Sequence, residues 1–143
     1  MEKWIILGYL GGDPEMRYTG NGIPVTNISV AVSRKWVDKG SGQQREHTTW
    51  YRATGWNRTA EIMAQYLKKG RQVYLECEPV TDDRGNPKIW FDQQTQPRAS
   101  FECTVQRMEL IGGSGGGGAP AGPDGPSDGP PEAPYTGNDE IPF

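Results

Sequence analysis

Five strand-like stretches, one a short apolar run and others alternating apolar with polar residues, set around one short segment with helical spacing, predict an all-β domain with one helix. Their order is three strands, the helix, then two more strands, which is the order of the five-stranded OB-fold barrel. Charge bounds the domain. All 15 Lys and Arg lie between Lys3 and Arg107 beside 13 of the 18 acids, so residues 1–111 carry +2 and residues 112–143 carry −5. Ten Gly and seven Pro also fall after Ile111. A segment so poor in apolar side chains cannot offset the entropy of ordering itself. The expected organisation is an OB-fold domain over 1–111, a disordered Gly/Pro-rich linker over 112–137 and an acidic tip over 138–143.

The first strand is the apolar run Lys3–Leu10, closed by Gly11, Gly12 and Asp13-Pro14. Arg17-Tyr18-Thr19 then meets Gly20-Asn21-Gly22, a turn signal with residues that tolerate positive φ. From Val25 to Val32 the period is two, with Ile28, Val30 and Val32 on one face and Asn27, Ser29 and Ala31 on the other. Lys39-Gly-Ser-Gly42 reads as a hairpin tip, and Arg45–Trp56, rich in Thr, Trp and Tyr, as the third strand. In the helix, Asn57 is the expected cap and Ala60, Met63, Ala64 and Leu67 recur at helical spacing. Lys68 and Lys69 suit its last turn, with Gly70 as the stop. Val73, Leu75 and Cys77 alternate in the fourth strand, and Phe101, Cys103 and Val105 in the fifth. The fifth changes parity before Met108 and Leu110, which predicts a bulge. Between those two strands, Asp82–Ala99 reads as a long polar excursion.

Several functions are excluded on these grounds. No apolar run approaches the ~20 residues of a membrane helix, and the N-terminal residues lack the basic start and apolar stretch of a secretory signal. A cytoplasmic location is expected, with Cys77 and Cys103 as two buried thiols in preference to a disulfide. One histidine and two cysteines outside a C-x-x-C spacing do not make a standard zinc site. No nucleophile motif or phosphate-binding glycine loop is present, so neither a cofactor nor an enzymatic activity is expected.

The aromatic residues carry the functional signal. In the third strand Trp50, Arg52, Thr54 and Trp56 share one face, and Tyr51, Ala53 and Gly55 the other. Parity alone allows either face to be the core; a guanidinium between two indoles favours exposure of the first. Such a row fits single-stranded nucleic acid, with bases stacked on the indoles and the cation at phosphate. Strict alternation places Trp36 on the core face, but it adjoins Arg34, Lys35 and Lys39 at the hairpin tip, where a bulge or twist would free it to stack. Trp4 reads as core. Trp90-Phe91 reads as either a second stacking patch or an intersubunit contact. Lys3, Arg34, Lys35, Arg52, Arg58, Lys68, Lys69 and Arg71 are the candidates for tracking the phosphate backbone. A module for structured RNA and a protein–protein hub are the alternative readings.

In the tip, Asp139 and Glu140 stand directly before Ile141, Pro142 and Phe143, after a long stretch without large aliphatic side chains. That is the pattern of a peptide ligand, with an aromatic ring for an apolar pocket and acids for a basic rim. The Gly/Pro spacer sets its reach.

Three segments and the tip together resemble the bacterial-type single-stranded-DNA-binding proteins. The segments are Leu7-Gly-Tyr-Leu-Gly-Gly-Asp-Pro-Glu-Met-Arg-Tyr-Thr-Gly-Asn-Gly22, Glu46-His-Thr-Thr-Trp-Tyr-Arg52, and the helix from Ala60-Glu61 through Tyr66-Leu-Lys-Lys-Gly-Arg-Gln-Val-Tyr74. The resemblance implies an OB fold assembled as a homotetramer that wraps single-stranded DNA without sequence preference. It places stacking on Trp36, Trp50 and Trp56, and gives the tip the role of recruiting replication, repair and recombination proteins. The chain departs from the family pattern at Glu78-Pro79, in the length of Asp82–Ala99, and at Asn138, where a further acid is common.

Overall fold

Alternation becomes a closed barrel because each strand hides one row of side chains from water. The computed structural model describes residues 1–112; the expected linker and tip, from residue 113 on, lie outside the described residues. The elements are β1 (Trp4–Leu10), β2 (Glu15–Tyr18), β3 (Pro24–Val37), β4 (Gln44–Trp56), α1 (Arg58–Tyr66), β5 (Gln72–Pro79), β6 (Ile89–Phe91), β7 (Pro97–Ala99) and β8 (Phe101–Leu110). The main sheet runs β1-β5-β8-β4-β3-β2, and a short β1–β3 pairing closes five of these strands into a barrel. All its pairings are antiparallel except β4 with β8. This is the OB-type barrel expected from the element order.

The core holds the predicted inward rows. Ile6 and Leu10 come from β1, Ile28 and Val30 from β3, Ala53 from β4, Val73, Leu75 and Cys77 from β5, and Cys103 and Val105 from β8. Met63 and Leu67 complete it from the helical side. Cys77 and Cys103 are unpaired buried thiols. Contact with the Cys103 thiol and burial both push the Cys77 thiol up, so it stays protonated. The predicted bulge is present: Glu76 faces Arg107 while Cys77 faces Val105, leaving Gln106 as the extra residue on β8.

The helix departs from expectation at both ends. Asn57 stands at the N-cap, but with φ 52° and no side-chain hydrogen bond to the first turn. Its positive φ, with ψ −126°, turns the chain sharply out of β4. Its amide donates to Pro24 O at 3.0 Å, and its carbonyl accepts from Glu61 N at 3.2 Å. At the other end α1 stops at Tyr66, and Leu67 is already extended, drawn into the core. Lys68 and Lys69 therefore lie beyond the last turn and gain nothing from the helix dipole. They begin a tight turn in which Arg71 N donates to Lys68 O at 3.0 Å and Gly70 takes φ 82°. The buried Thr26 hydroxyl donates to Ala60 O at 2.8 Å and ties α1 to β3. Gly55 lets the helix come close; a Cβ there would collide with Met63 Sδ.

The excursion after β5 is more ordered than its sequence suggests. Thr81 bridges Pro87, and β6 pairs with β7 as a separate two-stranded sheet. Its two turns share one design. Asp82 and Asp92 each accept two later amide hydrogens through Oδ1, and the fourth residue of each turn (Gly85 at φ 83°, Thr95 at φ 63°) is left-handed. Those amide bonds hold both carboxyls below their ordinary range.

Candidate nucleic-acid interface

The outer face of the β3–β4 ribbon is built from opposed pairs: Val25↔Trp56, Asn27↔Thr54, Ser29↔Arg52 and Ala31↔Trp50. Directly opposed residues share a face, so the tryptophans of β4 face short side chains of β3. Ala31 is too small to cover Trp50, which is 55% exposed, and Trp56 is 43% exposed. Tyr51 is half-buried and Ala53 and Gly55 are buried, so the inward row is the small and mixed one, as the guanidinium between the indoles favoured. Arg52 lies between the indoles with its side chain 56% exposed, held loosely toward Glu102 at 3.8 Å. Thr54 donates to Asn27 Oδ1 at 2.8 Å, which fixes the small residues of the row. Along a strand the two indoles stand about 20 Å apart.

Trp36 is exposed, but not through a bulge. β3 and β4 pair without interruption from Val25↔Trp56 to Val37↔Gln44. The ribbon simply outruns the barrel, and beyond Ser33 and Thr48 there is no core for either face to cover. Trp36 keeps the inward parity of Ile28 and Val30 yet is 42% exposed, with the Arg34 guanidinium 5.5 Å from its ring centroid. Trp50 and Trp56 thus share one face of the ribbon, and Trp36 occupies the opposite face of its free end.

Beside Trp50 a groove of about 620 Å³ runs between the end of β1, β2 and β4, lined among others by Gly11, Arg17, Trp50 and Arg52. The indole of Trp50 lies directly on Gly11. The turn carrying Lys68, Lys69 and Arg71 sits at the groove's edge, because Lys69 N donates to the groove-lining Asp13 at 2.9 Å and Gly70 N to Leu10 O at 2.8 Å. Arg71 Nε is buried without a hydrogen-bond partner. Lys35 lies opposite Glu46 on the Trp50 face of the arm. Arg58 opens α1 and pairs with Glu61 at 3.6 Å. Lys3 stands apart, on the outer face of β1 and β5, where it donates to Glu76 at 2.6 Å.

Two contributors escaped the sequence reading. Arg17 faces Val25, which faces Trp56, so it completes a row across three strands. The turn at Gly20–Gly22 held the signal, since counting back across it pairs Arg17 with Val25. Gly11 gave only a punctuation signal. Trp90 and its neighbours Ile89 and Phe91 are exposed on β6, with Trp90 Nε1 donating to Ser100 Oγ at 3.2 Å. Phe101, expected on the inward row, is 55% exposed because it precedes the barrel rim; it leans on Tyr51 at 5.5 Å. Trp4, expected in the core, is half-buried against it and meets Tyr51 and Phe101 edge-on at 6.2 and 6.3 Å. Among the described residues no group of three His, Cys, Asp or Glu is arranged to hold a metal, and no helix is long and apolar enough to cross a membrane.

Residues 1–111 match the model of the single-strand binding protein family. The chain belongs to that family. Among solved structures the fold is similar to a Plasmodium falciparum SSB in complex with ssDNA, at a TM-score of 0.61 and 21% identity. The alignment covers 78% of this chain and 93% of that one. At this identity the likeness speaks for the barrel alone. The family match, by contrast, spans the whole β-barrel.

Proposed function

We propose that this chain binds single-stranded DNA without sequence preference and protects exposed strands in replication, recombination and repair, as a binding protein and not an enzyme. One observation carries the reading: Trp50, Arg52 and Trp56 lie exposed in a row on one strand. Two indoles bare on one face are poorly explained by solubility. Each offers a ring face to any base, worth roughly 1–3 kcal/mol per stacked base, and the guanidinium between them meets phosphate. Family membership supports the same ligand class. Trp36 and Arg34 on the free arm, with Lys35, extend the path, Arg17 lines its groove, and the turn carrying Lys68, Lys69 and Arg71 stands at the groove's edge.

The proposed working form is a homotetramer in the cytoplasm. A domain net of +2 is weak for a polyanion binder, and assembly multiplies the field. The outer face of β1, β5 and β8 supports self-association. β1 meets β3 only at Tyr9↔Ala31 and Leu10↔Val30, so Trp4–Leu7 present an edge without a strand partner among the described residues. Ile5 and Leu7 are exposed beside it. The adjacent charges, Lys3 and Arg107 against Glu76 and Glu109, are balanced, so a two-fold copy of the face meets its own complement. The proposed docking peptide for replication, repair and recombination proteins is Asp139–Phe143, with Asp139, Glu140, Ile141, Pro142 and Phe143 supplying acids and apolar anchors.

The test is a titration of intrinsic tryptophan fluorescence with oligo-dT at several salt concentrations. The proposal expects quenching, with affinity falling by roughly 0.7 log units per log unit of salt for each phosphate neutralised. Unquenched emission, or tighter binding of an equal-length RNA, would contradict it.

A further inference from the structure

We infer that Gly11 is a positioning residue for the Trp50 indole, an inference that rests on the stacking reading above. The Trp50 side chain is more than half exposed, with only Ala31 opposite it, so nothing on its own ribbon holds the ring in one pose. The support comes from another part of the barrel. A Cβ placed on Gly11 would stand 2.5 Å from Cζ3 and 2.8 Å from Cη2 of Trp50, and the next atom it would meet, at 3.7 Å, is Cε3 of the same ring. Ordinary carbon–carbon contact is about 3.5–4.0 Å. The indole therefore occupies the space that a side chain on residue 11 would take.

The seat itself is fixed. Gly11 N donates to Ser29 O at 2.9 Å, and Ser29 is the residue opposite Arg52 on the same outer face. Gly11 has no left-handed backbone, so alanine is compatible with its conformation and the absence of a side chain is the property that matters. Gly12, next in the chain, has nothing within 4 Å of its would-be Cβ and supports no ring. With the Cζ3–Cη2 edge of its benzo ring seated at Gly11, the indole keeps a single pose toward the groove between Arg17 and Arg52. Holding a ring in its bound pose removes an ordering cost from each binding event. Because Trp50 is half exposed, the ring yields to an added methyl while the barrel does not.

The test is a double-mutant cycle on the full chain, read as oligo-dT affinity, with thermal melting of each variant alongside. Gly11→Ala should weaken binding on the order of tenfold while melting like the parent. In a Trp50→Ala background the same substitution should change affinity by less than about twofold, because the ring it displaces is gone. Gly12→Ala should bind like the parent. Three results would overturn the inference: parental binding by Gly11→Ala, an equal loss in both backgrounds, or loss of folding in Gly11→Ala. Parental binding by Trp50→Ala would instead remove the stacking reading together with the seat.

Discussion

Trp50 and Trp56 are exposed because of what stands opposite and beside them. Short residues at Asn27, Ser29 and Ala31 leave the outer face low, and the two indoles rise from it with Arg52 between them. Among the described residues Arg52 pairs with Glu102 at 3.8 Å, a separation that leaves its donors for an incoming phosphate. Arg52→Gln should therefore reduce the salt dependence of oligo-dT binding by roughly 0.7 in log–log slope, the signature of one lost phosphate contact, while tryptophan quenching at saturation stays the same. Titrations at four or five salt concentrations give both quantities. At this scale parity grouped Trp50 with Trp56 on one face, and the Arg52 guanidinium between them made their exposure legible in the sequence. Trp36 was legible only as an anomaly: its parity is inward, and its exposure follows from where the barrel ends, which a local pattern does not carry. Gly11 depends on chain segments meeting across the barrel, so no window of sequence contained it, whereas Arg17 was within reach of the hairpin turn at Gly20–Gly22.

The elements follow the same division. Strands with a buried row were legible because burial imposes a period of two, and the change of parity in β8 foretold its bulge. The β6–β7 hairpin bears exposed residues throughout, so burial left no alternation to find. The end of α1 was misplaced because Leu67 leaves helical geometry to enter the core, carrying Lys68 and Lys69 past the last turn. On the β1–β5–β8 face, Glu76 accepts from Lys3 Nζ at 2.6 Å and Tyr74 OH at 3.1 Å, which hold its carboxyl below the ordinary value of 4.5. A carboxyl depressed by folding adds stability above its unfolded value, and that contribution is lost as pH falls through the folded one. Lys3, raised above 10.5 by the same bond, adds stability that is present below that value and lost above it. Glu76→Gln should thus lower the melting temperature at pH 7 and lower it less at a pH below 4.5. Paired melts at the two pH values check this, and equal shifts at both would assign the effect to packing.

For the whole molecule, the proposed division is between a DNA-binding barrel and a partner-docking tip, with a Gly/Pro-rich stretch of sequence between them. Deleting Asp139–Phe143 should leave oligo-dT affinity within about twofold and abolish capture of replication and repair proteins, read by titration and pull-down on the same preparation. Loss of DNA binding on that deletion would place the tip within the interface. Solution mass should correspond to a tetramer, and Ile5→Glu, which sets a charge beside the unpaired β1 edge, should lower it without unfolding the barrel. The central claim is that bases stack on the exposed row of β4. Its most direct measure is the oligo-dT affinity of the Trp50→Ala/Trp56→Ala double variant at fixed salt, with melting to verify the fold. Two lost stacks at roughly 1–3 kcal/mol each predict a weakening of at least about thirtyfold. A folded double variant that binds as the parent does would contradict the account.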